Sequence, residues 1–479
     1  MKKGFIFYLV LFAVLNFNAQ CNKGGSGGGT PPPDPPGTND VEMWLTKANQ
    51  AVLLQKQGKV ISFGTAANTF PNADVDETKT YQTIDGFGYT LTGGSAMLIN
   101  QMEATAKANL LSELFGSGDG KIAISYLRLS IGASDLDATV FSYNDLPAGQ
   151  TDINQDHFSI APDKVHLIPV LKSILAINPS IKIIATPWSP PTWMKDNNSS
   201  IGGSLKPEYY NSYATYFVKY IQAMKAEGIN ITAITPQNEP LHPGNNPSMY
   251  MAAEQQRDFI KNNLGPAFQA AGIATKIIVY DHNLDKPDYP STIYADADAA
   301  KYVDGAAFHL YAGDVAAMGN LHNAYPSKNL YFTEQWTGAK GTFDGDLQWH
   351  IKNVIIGTMR NWSKLAMEWN LANDPTYGPH TPGGCTECKG AVTINGSAIT
   401  RNVAYYIIAH ASKFVPPGSV RIESNYAGVI QNVAFLRPDG KKVMIALNEG
   451  PTTYTFNLRY KGKWAPVTIE GKSVATIIW

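Results

Sequence analysis

Between residues 83 and 370 the chain repeats one unit: a short apolar run rich in β-branched residues, a turn-rich loop, and a longer stretch with apolar residues every three or four positions. Eight such runs are found, over 83–91, 123–131, 182–186, 231–236, 276–280, 305–311, 330–333 and 365–370. Strands separated by helical stretches of this kind pair in parallel and need helices to cover them. Eight of them favour closure, so the spacing predicts an α/β fold, a (β/α)8 TIM barrel. Helices are expected over 104–114, 165–177, 207–227 and 249–268, with their charges on solvated outer faces. No glycine-rich phosphate loop follows any strand, which gives nucleotide binding no support.

After Pro416 the pattern changes to short alternating strands broken by Asp439-Gly440, Lys461-Gly462 and Glu470-Gly471, which are hairpin signals. This segment reads as an attached antiparallel β-sandwich domain. Residues 41–61 also alternate, so the expected organisation is N-terminal strands over 41–78 joining the β domain, a catalytic barrel over 79–404, and the sandwich over 405–479. Two units suit 479 residues, since one core rarely grows beyond roughly 250–300.

The first residues combine Lys2 and Lys3 with an apolar run over 4–15 and reach Cys21 at Asn18-Ala19-Gln20-Cys21, the pattern of a bacterial export signal over 1–21. Lipidation of Cys21 is the first expectation and simple cleavage the alternative, because Asn18 and Gln20 depart from the usual lipoprotein box. Residues 22–40 are dominated by Gly, Ser, Thr and Pro, a composition that forms a spacer rather than a core. The expectation is an exported lipoprotein, periplasmic or on the outer membrane surface, touching membrane only through that anchor. A formal net charge of −1 argues against nucleic acid as a partner. A monomer is expected.

Cys385 and Cys388 stand in a glycine-flanked loop as Cys-Thr-Glu-Cys. A zinc site would need further ligands nearby and a redox motif would open a helix; a local disulfide is the simpler reading, which export permits.

In a (β/α)8 barrel the carboxyl ends of the strands carry the chemistry. The residues there are Arg128, Asp135, Trp188, Asn238, Glu239, His309, Tyr311, Glu334, Trp336 and Trp369. Glu239 ends the fourth expected strand and Glu334 the seventh. Glycoside hydrolysis requires such a pair, one carboxyl to protonate the leaving oxygen and one carboxylate to attack or stabilise the anomeric carbon. Taken singly, these glutamates could cap a helix or pair with a buried arginine, the tryptophans could be packing, Arg128 and Asp135 a structural ion pair, and His309 a structural histidine.

Five segments carry a more specific signal: Gln82-Thr-Ile-Asp-Gly-Phe-Gly88, Tyr126-Leu-Arg-Leu-Ser-Ile-Gly-Ala-Ser-Asp135, Pro187-Trp-Ser-Pro-Pro-Thr-Trp-Met-Lys195, Thr235-Pro-Gln-Asn-Glu-Pro240 and Phe332-Thr-Glu-Gln-Trp336. In this order they resemble glycoside hydrolase family 30, the glucosylceramidase-like and endo-β-1,6-glucanase-like family, over nearly the whole chain. The resemblance implies a retaining O-glycosyl hydrolase with no metal or organic cofactor. It also implies Glu239 as acid/base, Glu334 as nucleophile and Asn238 on the sugar 2-hydroxyl. Arg128 is implied beside the nucleophile, Asp135, Trp188 and Trp369 around the sugar ring, and His309 with Tyr311 beside Glu334; Trp336 belongs to the nucleophile motif.

The loop Leu241-His-Pro-Gly-Asn-Asn-Pro247 does not match the lysosomal lipid-cleaving members. The Cys385–Cys388 loop is expected on the rim, where it could shape a leaving-group subsite. An exported, tethered enzyme meets polysaccharide more readily than sphingolipid, so β-1,6-glucan is the first expected substrate. Glucosylceramide or another β-glucoside is the alternative, and a glycan-binding surface lipoprotein without turnover is the alternative of a different class.

Overall fold

The computed structural model describes residues 39–479; the expected export segment, Cys21 and residues 22–38 of the spacer lie outside the described residues. Among the described residues no helix is long and apolar enough to cross a membrane. Eight parallel strands close into a barrel in chain order: Gly86–Thr90, Tyr126–Ser130, Lys182–Thr186, Ala233–Ile234, Lys276–Asn283, Val303–His309, Asn329–Glu334 and Ser363–Asn370, the last pairing back onto the first.

Local chemistry moves several bounds from the sequence expectation. The first barrel strand starts at Gly86, because Thr83 ends a separate strand, Asn72–Thr83, of the β domain. Ala123 has a φ of 55°, and the second strand begins only at Tyr126. The fourth strand is reduced to Ala233–Ile234, and Pro236 just beyond it has no N–H for a ladder. The expected helix over 249–268 starts at Ala253 and passes through a π turn at Ile260–Leu264.

Toward the amino ends of the strands the barrel interior is apolar, filled by Tyr126, Ile184, Ala233, Ile278, Ala307, Tyr331, Leu365 and Met367. The first strand contributes glycine here: a Cβ on Gly88 would lie 1.8 Å from the Tyr126 carbonyl oxygen, so the first two strands approach too closely for a side chain. One step toward the carboxyl ends the interior turns polar, with Arg128, Thr186, Thr235, Asp281, His309 and Thr333 all fully buried. Outside, helices bury one stripe each; Tyr210–Ala226 buries Tyr213, Tyr216, Phe217, Tyr220 and Met224 at helical spacing.

The β domain is a nine-stranded sheet wrapped around its own core, which includes Met43, Val75, Ile430, Met444, Phe456, Val467 and Ile477. Glu42–Lys47 pairs antiparallel with Ser473–Ile478. Asn72–Thr83 inserts between Val420–Ser424 and Tyr454–Tyr460, antiparallel to the former but parallel to the latter, so the domain is not wholly antiparallel. The hairpin between Tyr454–Tyr460 and Lys463–Ile469 turns at Lys461 and Gly462, with φ of 48° and 75°, the two positive values of a type I′ turn. Helix Val403–Ser412 is buried throughout and spans the 404/405 division, with His410 hydrogen-bonded to Thr46 and Thr476 of the sheet.

Candidate active site

The polar layer opens at the carboxyl ends of the strands into a cavity of about 360 Å³. Of the residues expected there, Asp135, Trp188, Asn238, Glu239, Tyr311, Glu334, Trp336, Trp369, Cys385 and Cys388 line it. Arg128 and His309 do not: both are fully buried beneath the floor, where they hold the carboxylates from behind.

The fourth and seventh strands bring the two glutamates together. One oxygen of Glu239, one of Glu334 and a ring nitrogen of His309 lie within 4.8 Å of one another. Glu239 takes a left-handed backbone conformation, φ 43°, just past its strand, and its N–H donates to the Asp281 carbonyl at 3.0 Å. A non-glycine residue held in this region is a conformation that the surrounding structure must enforce. Glu334 pairs in register with His309 on the sixth strand after a bulge at Phe332.

Arg128 is the hub of the floor. Its Nη1 donates to Glu334 Oε2 at 2.6 Å and its Nη2 to Asn238 Oδ1 at 2.6 Å and Asp281 Oδ2 at 3.0 Å. Its guanidinium lies 4.9 Å from the Trp188 ring and 5.6 Å from that of Trp369, which stand 5.4 Å apart. Tyr311 donates its hydroxyl to the other Glu334 oxygen at 2.9 Å. His309 places Nδ1 3.1 Å from Glu239 Oε1 and Nε2 3.2 Å from Asp281 Oδ1. Two cations thus face three carboxylates inside the barrel.

Burial opposes ionisation of Asp281, but the Arg128 charge and the His309 hydrogen bond hold its carboxyl well below the usual range. Burial likewise opposes the His309 cation, yet the charge of Glu334 and the hydrogen bonds to Asp281 and Glu239 push its pKa up to about 9. For Glu239 burial acts upward and His309 downward, with a net lowering; for Glu334 burial exceeds the pull of His309 and Arg128, with a net rise. Asp135 is pushed up to about 7 by burial and the Glu334 charge. The donor atoms of Glu239, His309 and Glu334 are also close enough to hold a metal ion. Arg128 and Asp281 already supply the counter-charges that this group needs.

Cys385 and Cys388 form a disulfide, with Cα atoms 5.8 Å apart. The Cys385 N–H donates to Asp135 Oδ2 at 3.2 Å, and both cysteines pack with Leu136, Trp188, Trp336 and Trp369. The bridge therefore braces the wall formed by Asp135 and the tryptophans. Asp281, His282, Asn283, His242 and Asn245 complete the site and were not among the expected residues. Asp281, His282 and Asn283 directly follow the expected end of the fifth strand, within reach of the rule that found Glu239; the strand itself runs on through Asn283.

Residues 84–415 match the glycosyl hydrolase family 30 TIM-barrel domain, and residues 418–477 the glycosyl hydrolase family 30 beta sandwich domain. An endo-1,6-β-D-glucanase of Aspergillus fumigatus is 35% identical over 422 residues, covering 82% of this chain and 84% of that protein. The lysosomal acid glucosylceramidase of Mus musculus is 29% identical over 432 residues, covering 84% and 82%. The solved structure of the endo-β1,6-glucanase BT3312 superposes with a TM-score of 0.86 at 39% identity, covering 92% of this chain and 99% of that one. With both domains matched in order, the chain belongs to glycosyl hydrolase family 30 and is a glycoside hydrolase.

Proposed function

We propose that the protein is a retaining endo-β-1,6-glucanase in which Glu334 is the nucleophile and Glu239 the acid/base. The observation that carries this reading is the approach of the two carboxylates to within 4.8 Å. That is near the roughly 5–5.5 Å of retaining pairs and short of the about 6.5–9.5 Å that leaves room for water in inverting ones. Glu334 attacks the anomeric carbon as the glycosidic C–O bond breaks, and Glu239 gives its proton to the departing oxygen. Water then attacks the glycosyl-enzyme ester, its proton returns to Glu239, and Glu334 leaves as carboxylate.

Hydrogen bonding separates the two roles. Glu334 receives donors from Arg128 and Tyr311, which favour the ionised form that a nucleophile needs. Glu239 has His309 Nδ1 as its partner. The resting pKa order runs against the roles, because the Glu239–His309 pair keeps its proton on the ring. The disagreement concerns one proton in one 3.1 Å hydrogen bond: moved from Nδ1 to Oε1, it leaves a neutral imidazole, still donating through Nε2 to Asp281, and a protonated Glu239 ready to act as acid. A neutral sugar displacing water from the cavity favours that uncharged arrangement.

Asn238, Asp135, Trp188 and Trp369 hold the sugar ring in this reading, with Trp336 at the rim. The relatives named endo-1,6-β-D-glucanase stand at 35% identity and the solved endo-β1,6-glucanase BT3312 at 39%, against 29% for the mouse glucosylceramidase, which supports β-1,6-glucan as the first substrate and glucosylceramide as the second. Assays on β-1,6-glucan, β-1,3-glucan and glucosylceramide decide it: oligosaccharides released from β-1,6-glucan are expected. Preferential turnover of glucosylceramide overturns the substrate, and binding without turnover across the panel supports a glycan-binding protein instead. We also propose that residues 1–21 direct export, that Cys21 carries a lipid anchor at the periplasmic or outer surface, and that the protein is a monomer. Cys21→Ser should release it from the membrane fraction, and light scattering checks its mass.

A further inference from the structure

The cavity has two unlike walls. Asp135, Trp188 and Trp369, braced by the disulfide, come from the second, third and eighth strands and their loops. Beyond Glu239 the wall consists of His242 and Asn245 from the loop after the fourth strand, and His282 and Asn283 from the end of the fifth. All four carry nitrogen-bearing polar side chains, and among the described residues no aliphatic one lines this stretch. The His242 N–H donates to the Glu239 carbonyl at 2.8 Å, so a tight turn sets His242 directly beside the acid/base. Asn283 spends its side-chain oxygen on the Tyr311 N–H at 3.0 Å, which leaves its NH2 end as a donor. His282 is 7% exposed, and its buried Nδ1 has no hydrogen-bond partner among the described residues. Burial also pushes His282 down to about 4, so it is neutral at ordinary pH and suits an uncharged ligand.

We propose that His242, Asn245, His282 and Asn283 form the leaving-group subsite, built to hold a second uncharged, hydroxyl-rich sugar ring rather than the alkyl chains of a lipid. This rests on the retaining-glycosidase reading. The acid/base lies on the leaving-group side of the scissile bond, and these four residues are the wall that continues from it. A ceramide would need apolar surface at this point, whereas a glucosyl unit needs alternating donors and acceptors.

Partitioning of the glycosyl-enzyme between water and a sugar acceptor tests the subsite. Both acceptors need Glu239 as base, so altered acidity of Glu239 cancels in the ratio, while only the sugar occupies the leaving-group wall. With an aryl β-glucoside as donor and methyl β-glucoside as acceptor, His282→Ala and Asn245→Ala should each lower the transfer-to-hydrolysis ratio at least about fivefold, the worth of one hydrogen bond. His282→Gln should recover part of it. The two variants lie on different elements, so misfolding of one leaves the other decisive. An unchanged ratio in a folded variant overturns the subsite, as does transfer by the unsubstituted enzyme to a long-chain alcohol in preference to the sugar. A first-formed product of inverted anomeric configuration, read by NMR, overturns the retaining reading itself.

Discussion

Asp281 presents Oδ1 to His309 Nε2 at 3.2 Å, on the side of the ring opposite Glu239. Its other oxygen takes Arg128 Nη2 at 3.0 Å, so one buried carboxylate orients both the cation behind Glu334 and the ring behind Glu239. Thr235 and Thr333 fix it further, donating at 2.8 and 2.6 Å. Asp281→Asn keeps the shape and removes the charge; kcat should fall roughly 10²-fold, the lower end of what acid–base catalysis contributes, with little change in KM. Asp281→Ala should in addition cost about 3–5 kcal/mol in denaturant unfolding, because buried Arg128 loses a counter-charge. Full activity in the asparagine variant would remove Asp281 from the positioning network.

His309 should set the alkaline limit of activity. The proton that it shares with Glu239 is held to about 9 in the resting site. In His309→Gln the acid is Glu239 alone, a buried carboxyl with no ring to share the proton. The alkaline limb of the kcat/KM profile should move toward acid. A limb that stays in place would show that the shared proton does not govern turnover.

Asp163 offers a stability test away from the chemistry. It accepts the Tyr143 hydroxyl at 2.6 Å, and burial pushes its carboxyl up to about 7 from 3.8. Below the lower value both folded and unfolded chains hold the proton. Between the two, the unfolded chain releases it and the folded chain does not, so this group's stabilisation is lost as pH rises, by at most about 1.4 kcal/mol per pH unit. Asp163→Asn has no such loss. Its stability relative to the parent should climb from about pH 4 to 7 and level off above, as read from urea unfolding. A pH-independent difference would contradict the buried, protonated Asp163.

The barrel was legible because its signal is local: apolar runs, helical periods and the polar residue at each strand end all lie within a few positions. That rule reached Glu239, Glu334, Asn238 and Tyr311 directly. Asp281 directly follows the expected end of the fifth strand, but no motif sets it apart; the strand continues past Tyr280 with φ of 74° and 65° at Tyr280 and Asp281, and its register against the sixth strand shifts there. Apolar periodicity does not reveal that irregularity. Nor does local pattern show Asn72–Thr83 lying between Val420–Ser424 and Tyr454–Tyr460, since both pairings join segments far apart in the chain. The floor position of Arg128 and His309 also follows from closure, which turns the same strand face inward all round the barrel and stacks it in layers.

The division of labour between Glu239 and Glu334 is tested most directly by azide rescue with an activated aryl β-glucoside. If Glu334 is the nucleophile, Glu334→Ala with azide should yield the α-glucosyl azide, and Glu239→Ala with azide the β-glucosyl azide. The opposite pairing of variant and anomer, or an active Glu334→Ala enzyme without azide, would contradict the account.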